Sequence, residues 1–308
     1  MILADRPIRR VLLRARPPTR DSAGIPRMYV DYWGLTETPF SGPDETYWFY
    51  ESPFHEEALA RLSFLADEPP CCGLLCGPAG AGKSLLLEIA RRRRGAAGRT
   101  ALRLETAGRG GHELLWELAA GFGLAPSDSA SEAALWRTLR DHLDGLRLAR
   151  VPILLLFDDI DRAEIGGQRA VERLLAETPG IATLAVVLAA QEDGQRRLSG
   201  RLLDRCDLRI ELPPLDEEQT ARFVLELLAR AGADSDVFDQ EALAALYERT
   251  DGIPRRIRRL CDLSLLAGMS EALDVIDAGV VHAAADELQA RHPVAARTPN
   301  LRPATARF

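Results

Sequence analysis

Between residues 71 and 212 the hydrophobic positions fall into two alternating patterns. One is the short apolar run: CCGLLC at 71–76, the centre of TALRLE at 100–105, PILLLFDD at 152–159, IATLAVVLAA at 181–190 and DLRIEL at 207–212. Runs of this length, bounded by Gly, Pro or charged residues, read as strands. The other is a three-to-four-residue spacing, which predicts helices at 83–94, 111–121, 131–144, near 168–177 and near 194–204. Strands alternating with helices predict a parallel sheet covered on both faces. Pro213-Pro214 closes the alternation, and beyond it only helical spacing remains, near 216–231, 239–249, 253–268 and 277–290. The expected plan is an α/β domain over 28–212 and a small all-helical lid over 215–290.

Upstream, Ser52-Pro53 opens a helix through residue 65, with Ala58, Leu59, Leu62 and Leu65 on one face. Before it, residues 29–54 hold nine aromatic side chains among Pro and Gly. So many rings need burial, so the segment reads as irregular but packed, as part of the α/β domain.

Composition then limits the function classes. The net charge is −7, but residues 1–27 carry seven Arg against two Asp, and residues 291–308 carry four Arg and no acid, leaving the body at −16. An acidic body is unlike a dedicated DNA-binding domain. The basic ends read as a disordered extension (1–27) and a disordered tail (291–308), with Met28 a candidate alternative start. The five cysteines are odd in number, match no zinc spacing and follow no secretory pattern, so the expectation is a reducing cytoplasm and no structural metal. No run approaches the ~18 apolar residues of a membrane helix, so no membrane insertion is expected.

The strongest local signal is GPAGAGKS at 77–84, which fits G-x-x-x-x-G-K-[ST] between a predicted strand and a predicted helix. Gly77, Pro78, Ala79, Gly80, Ala81, Gly82, Lys83, Ser84 and Leu85 would wrap a nucleotide phosphate chain with main-chain amides at a helix N-terminus. Lys83 is the one lysine among 39 basic side chains. A compact ammonium reaches β- and γ-phosphates where a planar guanidinium fits poorly, so arginine substitutes everywhere except here. A second half is expected at the end of a buried strand, and ILLLFDDID supplies it. Asp158 would hold Mg²⁺ together with Ser84. Asp159 stands where a Glu often polarises the attacking water, and is one methylene shorter. Asp159 is the candidate catalytic carboxylate, and the alternative reading of Asp159 and Asp161 is a solvated loop or a helix cap.

With these motifs in place the chain resembles AAA+ ATPases, P-loop proteins with a three-layer α/β/α sheet and a helical lid. It resembles more narrowly the ExeA (general secretion pathway protein A) type. MYVDYWGLTETPF, SPFHEEAL, the phosphate loop, LLLFDD, the stretch from VVLAAQEDGQ to LDEEQT, and TDGIPRRIRRLCDLSLLAG carry the resemblance over residues 28–288. It implies ATP and Mg²⁺ as cofactors and a homo-oligomer. By position it makes Gln191 the polar γ-phosphate sensor and Arg255 the lid arginine on the nucleotide. Arg205 becomes the arginine offered to a neighbour's ATP, with Arg201 and Arg209 as competitors. The adenine is expected near residues 54–59 and the lid. The Asp-Asp pair departs from the family's Asp-Glu. The chain also ends after the lid, where many members continue into a membrane helix and a peptidoglycan-binding domain, so direct secretion is in doubt.

Three functions fit. One is an oligomeric ATPase that remodels or regulates a protein assembly. The second is a DNA-associated ATPase of the transposition target-selection type, which the basic ends and the arginine runs at 91–94 and 255–259 favour and the acidic body disfavours. The third is a slow-hydrolysing, nucleotide-dependent switch, which rests on Asp159.

Overall fold

The structure is a computed structural model that describes residues 27–41, 46–67, 71–177, 183–233 and 236–291. Most of the two basic ends lies outside these residues. Five strands form one parallel sheet: β1 (Cys71–Gly77), β2 (Thr100–Glu105), β3 (Ile153–Asp158), β4 (Leu184–Gln191) and β5 (Leu208–Glu211), in the order β2-β3-β4-β1-β5. β3 and β4 are almost wholly buried because they lie inside the sheet and are covered on both faces. Successive side chains of a strand point to opposite faces. Accordingly Leu155, Phe157, Val186 and Leu188 pack on one side with α4 (Gly111–Gly121), α5 (Glu132–Leu148) and α6 (Ile165–Glu177). Leu154, Leu156, Val187 and Ala189 pack on the other with α2 (Pro53–Asp67) and α3 (Lys83–Ala96).

The helix starts follow local chemistry. Ser131 caps α5 by accepting from the Ala134 amide. The predicted helix near 194–204 is instead a 3-10 turn at Asp193–Arg197 followed by a four-residue helix α7, Gly200–Leu203. Ser199 caps α7 from within the predicted span and breaks it in two.

Four helices follow the sheet: α8 (Glu217–Arg230), α9 (Gln240–Thr250), α10 (Pro254–Ser270) and α11 (Ala278–Arg291). Asp216 and Gln219 form a reciprocal capping box on α8, and Pro254 at the first turn pre-sets α10. Gly252, between α9 and α10, has φ +66°, and a Cβ there would lie 1.8 Å from the Leu215 carbonyl oxygen. Only glycine fits this turn, which the Leu215 amide ties down by donating to the Gly252 carbonyl at 2.9 Å.

The aromatic segment behaves differently from expectation. Its first residues form a helix, α1 (Arg27–Tyr32). Its rings Tyr29, Trp33, Phe40, Trp48 and Tyr50 pack in one core with Phe223, Leu227, Ile257 and Leu265 of the C-terminal helices, not with the sheet. Directed bonds fix this seam. Tyr29 donates to Asp262 at 2.7 Å, and Trp33 Nε1 donates to the Leu265 carbonyl at 3.0 Å. Arg230 and Arg258 donate to the Phe49 and Trp48 carbonyls at 2.8 and 2.6 Å. The segment therefore straps the C-terminal helices to the start of α2.

Candidate nucleotide site

The register of the sheet assembles the site. Gly77, which ends β1, lies opposite Gln191, which ends β4, and β4 in turn pairs with β3, which ends at Asp158. Ligands of open parallel sheets sit beyond these carboxyl ends. A cavity of about 450 Å³ lies there, lined by Ala79, Gly80, Gly82, Lys83, Ser84, Leu85, Asp159, Gln191, Arg255 and others.

Gly80 and Gly82 have φ of +88° and +106°, backbone that turns the loop around a hollow and that L side chains rarely adopt. Gly77 and Pro78 do not line the hollow, and their carbonyls accept from Lys83 Nζ at 2.8 and 3.0 Å. Ala81 is buried behind the loop. Lys83 is only 5% exposed, although it lines the cavity. Burial pulls its pKa down, while Asp159, Asp158 and Asp161 oppose that shift.

Asp158 is buried and does not line the cavity. Its Oδ2 accepts from Arg103 at 2.6 Å, while its Oδ1 is buried without a partner. Thr106 donates both its amide and its hydroxyl to the Asp158 carbonyl and fixes the strand end. Asp159 has left-handed backbone, φ +55°, and its half-buried side chain faces the cavity. Burial, followed by the neighbouring Asp158 and Asp161 charges, raises its pKa. Asp161 is not solvated: it is 2% exposed and accepts from the Gln191 amide at 3.3 Å. A Cβ on Gly194 would lie 1.8 Å from its Oδ2, so Gly194 makes room for it. Asp161 thus holds the end of β4 and aims Gln191.

The lid meets the loop at Gly80. The Arg255 amide donates to the Gly80 carbonyl at 3.2 Å, and a Cβ on Gly80 would meet Arg255 Cβ at 2.9 Å. Arg258, Arg259 and Asp262 extend the α10 side of the cavity, and Phe40 and Ser41 of the strap close its end. Residues 54–59, where the adenine is expected, do not line this cavity. Phe54, Glu57 and Ala58 line a neighbouring one with Pro213 and Pro214. Arg205 donates to the Leu175 carbonyl at 2.9 Å and lies outside the cavity, Arg201 reaches Glu172 at 3.9 Å, and Arg209 pairs with Glu211 at 2.9 Å.

Two side chains escape motif reading. Arg103 is one. The other is His55, 6% exposed at the start of α2. The His55 amide donates to Ser52 Oγ at 3.3 Å, and Oγ lies 2.6 Å from Nδ1. With Ser52 on Nδ1, the other ring nitrogen, Nε2, lies 3.2 Å from where a Gly82 Cβ would be. His55 therefore buttresses the Gly77–Ser84 loop from behind. Burial lowers its pKa, with Ala81 and Glu51 opposing. The unfolded chain then takes up this proton first, and stability falls as pH drops through the ordinary His value. Between roughly pH 7 and 5 the melting temperature of the parent is expected to fall more steeply than that of His55→Gln. Parallel melting curves for the two proteins would contradict the buried neutral ring.

The residues fit a magnesium nucleotide. Among the described residues no group of three or more His, Cys, Asp or Glu could hold a metal ion alone. Mg²⁺ is commonly bound by one or two protein oxygens plus substrate phosphates, and the unpartnered Asp158 Oδ1 beside the loop suits that arrangement.

Comparison with known proteins agrees with this geometry. A family described as AAA domain matches residues 67–198. In sequence the chain is similar to General secretion pathway protein A of Aeromonas hydrophila, with 30% identity over 267 residues, which is 85% of this chain. The chain spans 48% of that relative's length. In fold it is similar to Cdc6p from Pyrobaculum aerophilum, with a TM-score of 0.65 at 18% identity over 81% of this chain and 70% of that one. It is also similar to the Aeropyrum pernix ORC1 protein in complex with DNA, with a TM-score of 0.61 at 22% identity over 80% and 68% of the two chains. Among the described residues no helix is long and apolar enough to cross a membrane.

Proposed function

From the premise that the chain carries an AAA domain within an AAA+ P-loop fold and is a relative of General secretion pathway protein A, we propose that it binds ATP with Mg²⁺ and hydrolyses it, with the lid reporting the nucleotide state to an assembly. The observation that carries the reading is the single cavity onto which Lys83, Ser84, Asp159, Gln191 and Arg255 converge from separate parts of the chain.

Each residue has a role that its position supports. The amides of the loop and the first turn of α3 surround the β- and γ-phosphates. Lys83 exchanges its two neutral carbonyl partners for phosphate oxygens. Ser84 and Asp158 would hold the cation, which when bound would supply charge neutralisation to the phosphate chain. Asp159 accepts a proton from the attacking water, and Gln191 orients that water or the γ-phosphate. Arg255 reaches the phosphates from the lid, so that nucleotide loss frees α10 and, through Tyr29 and Trp33, the strap as well. Arg205 serves the site of a neighbouring subunit, with the more exposed Arg201 its competitor; their side chains lie outside this chain's own cavity.

Purified full chain with Mg-ATP is expected to show turnover per subunit that rises with protein concentration, because a shared site is complete only in the oligomer. Turnover independent of concentration would remove the shared arginine, and no turnover at any concentration would remove the hydrolase reading. An arm with duplex DNA separates the DNA-associated alternative, which predicts salt-sensitive stimulation. The acidic body favours a protein partner.

A further inference from the structure

The carboxylate assigned to the cation already has a cationic partner inside the protein. Arg103 stands on β2 opposite Leu156, two residues before Asp158 on the adjacent strand. One end of its planar fork lies 2.6 Å from Asp158 Oδ2, and the other lies 4.0 Å from Glu88 Oε2. Glu88 is one helical turn beyond Ser84 on α3, so this arginine lies between Asp158, a proposed cation ligand, and a second carboxylate. We propose that Arg103 is an internal counter-ion that competes with the divalent cation for Asp158 and shifts its hold toward Glu88 when the cation binds. This inference rests on the role given to Asp158 above.

The surroundings favour such an exchange. A guanidinium is always charged and spans two carboxylates in a way an ammonium does not. Glu88 is a persistent anion, with its pKa pushed down to about 2, first by its hydrogen bond with Arg91, with Arg92 adding to the effect. Arg91 and Arg92 donate to it at 2.7 and 2.8 Å, which keeps its carboxylate in place as a second seat. Asp158 Oδ1 and Arg103 Nε are both buried without partners, so the present pairing satisfies neither group fully. A positive charge bonded to the cation's own ligand weakens that ligand's attraction for the cation, most strongly where water is excluded. Arg103 is thus a positioning residue that sets metal affinity, not a catalytic one.

The test uses the full chain with ADP, with free Mn²⁺ followed by electron paramagnetic resonance. Arg103→Met is expected to lower the Mn²⁺ concentration at half-saturation about tenfold, the scale of one nearby charge removed from a partly screened site. Glu88→Gln removes the second seat and is expected to raise it several-fold. Neither change should alter metal-free ADP affinity more than about twofold, since neither side chain lines the cavity. Unchanged or weaker Mn²⁺ binding in Arg103→Met overturns the inference. Tighter binding in Glu88→Gln overturns it as well, and that variant decides the question if Arg103→Met does not fold. Absence of any ADP-dependent Mn²⁺ binding in the parent overturns both this inference and the role of Asp158.

Discussion

Lys83→Ala is expected to weaken Mg-ATP binding by a factor of roughly 10² or more and to abolish turnover, while the protein stays folded. Lys83 is buried, and its ammonium donates to the Gly77 and Pro78 carbonyls. Exchanging those neutral acceptors for anionic phosphate oxygens turns two ammonium–carbonyl bonds into bonds charged on both sides, and hydrogen bonds to charged groups are worth about 1.5–3 kcal/mol each. Even half of that sum is about 1.5–3 kcal/mol, or roughly ten- to a hundredfold in affinity, and loss of charge neutralisation for Asp158 and Asp159 adds to it. Lys83→Arg should fare little better. It keeps the charge but places a bulky fork where the side chain is 5% exposed and the acceptors are spaced for a point donor. Calorimetric titration with Mg-ATP decides the matter. Affinity within threefold of the parent in Lys83→Ala would mean that the loop is not gripping a triphosphate.

The legible and illegible parts of this chain divide along one physical line. Strands β1, β3 and β4 and the loop after β1 can be read because their signals are local: unbroken apolar runs, glycines at spaced positions, one lysine where every other cation is arginine. Asp158 is legible for the same reason, as the acid that ends an apolar run. Contacts between distant segments leave no such trace. The nine aromatics of residues 29–54 announce a need for burial but not the partner, and five of them, Tyr29, Trp33, Phe40, Trp48 and Tyr50, find it some 200 residues away among the C-terminal helices, while Phe49 and Phe54 pack toward the sheet. That choice matters for function, because it places Phe40 and Ser41 over the cavity and leaves residues 54–59 beside it. Arg103 looks like any exposed arginine in TALRLE, and only strand register brings it to Asp158. His55 is visible within SPFHEEAL, yet its contact with the loop depends on how α2 packs against α3. Asp161 looks like a surface cap in DDID, and the space left by Gly194 turns it inward.

Asp159→Asn is expected to lower ATP turnover about 10²–10⁴-fold, the usual range for a lost general base, with nucleotide affinity close to that of the parent. It is also expected to raise the melting temperature. Both effects have one origin. The left-handed backbone at φ +55° turns this carboxylate into the cavity, where burial and then the Asp158 and Asp161 charges raise its pKa. A folded-state pKa above the unfolded value means that the folded chain binds this proton more readily. The group therefore costs the folded state nothing below the unfolded pKa, and costs it stability once the pH has risen through the folded pKa. At neutral pH the side chain is ionised and destabilising, and the amide relieves that strain. A base works in its deprotonated form, so the same shift moves the acidic limb of the turnover profile upward from the ordinary Asp range, and that limb should vanish in Asp159→Asn. A residue kept for a cap or a solvated loop would give the opposite pair of results: turnover preserved and stability lost with the cap. Measuring turnover against pH and melting temperature on the same two proteins separates these cases, because a catalytic carboxylate is tied to lower stability and a capping carboxylate to higher.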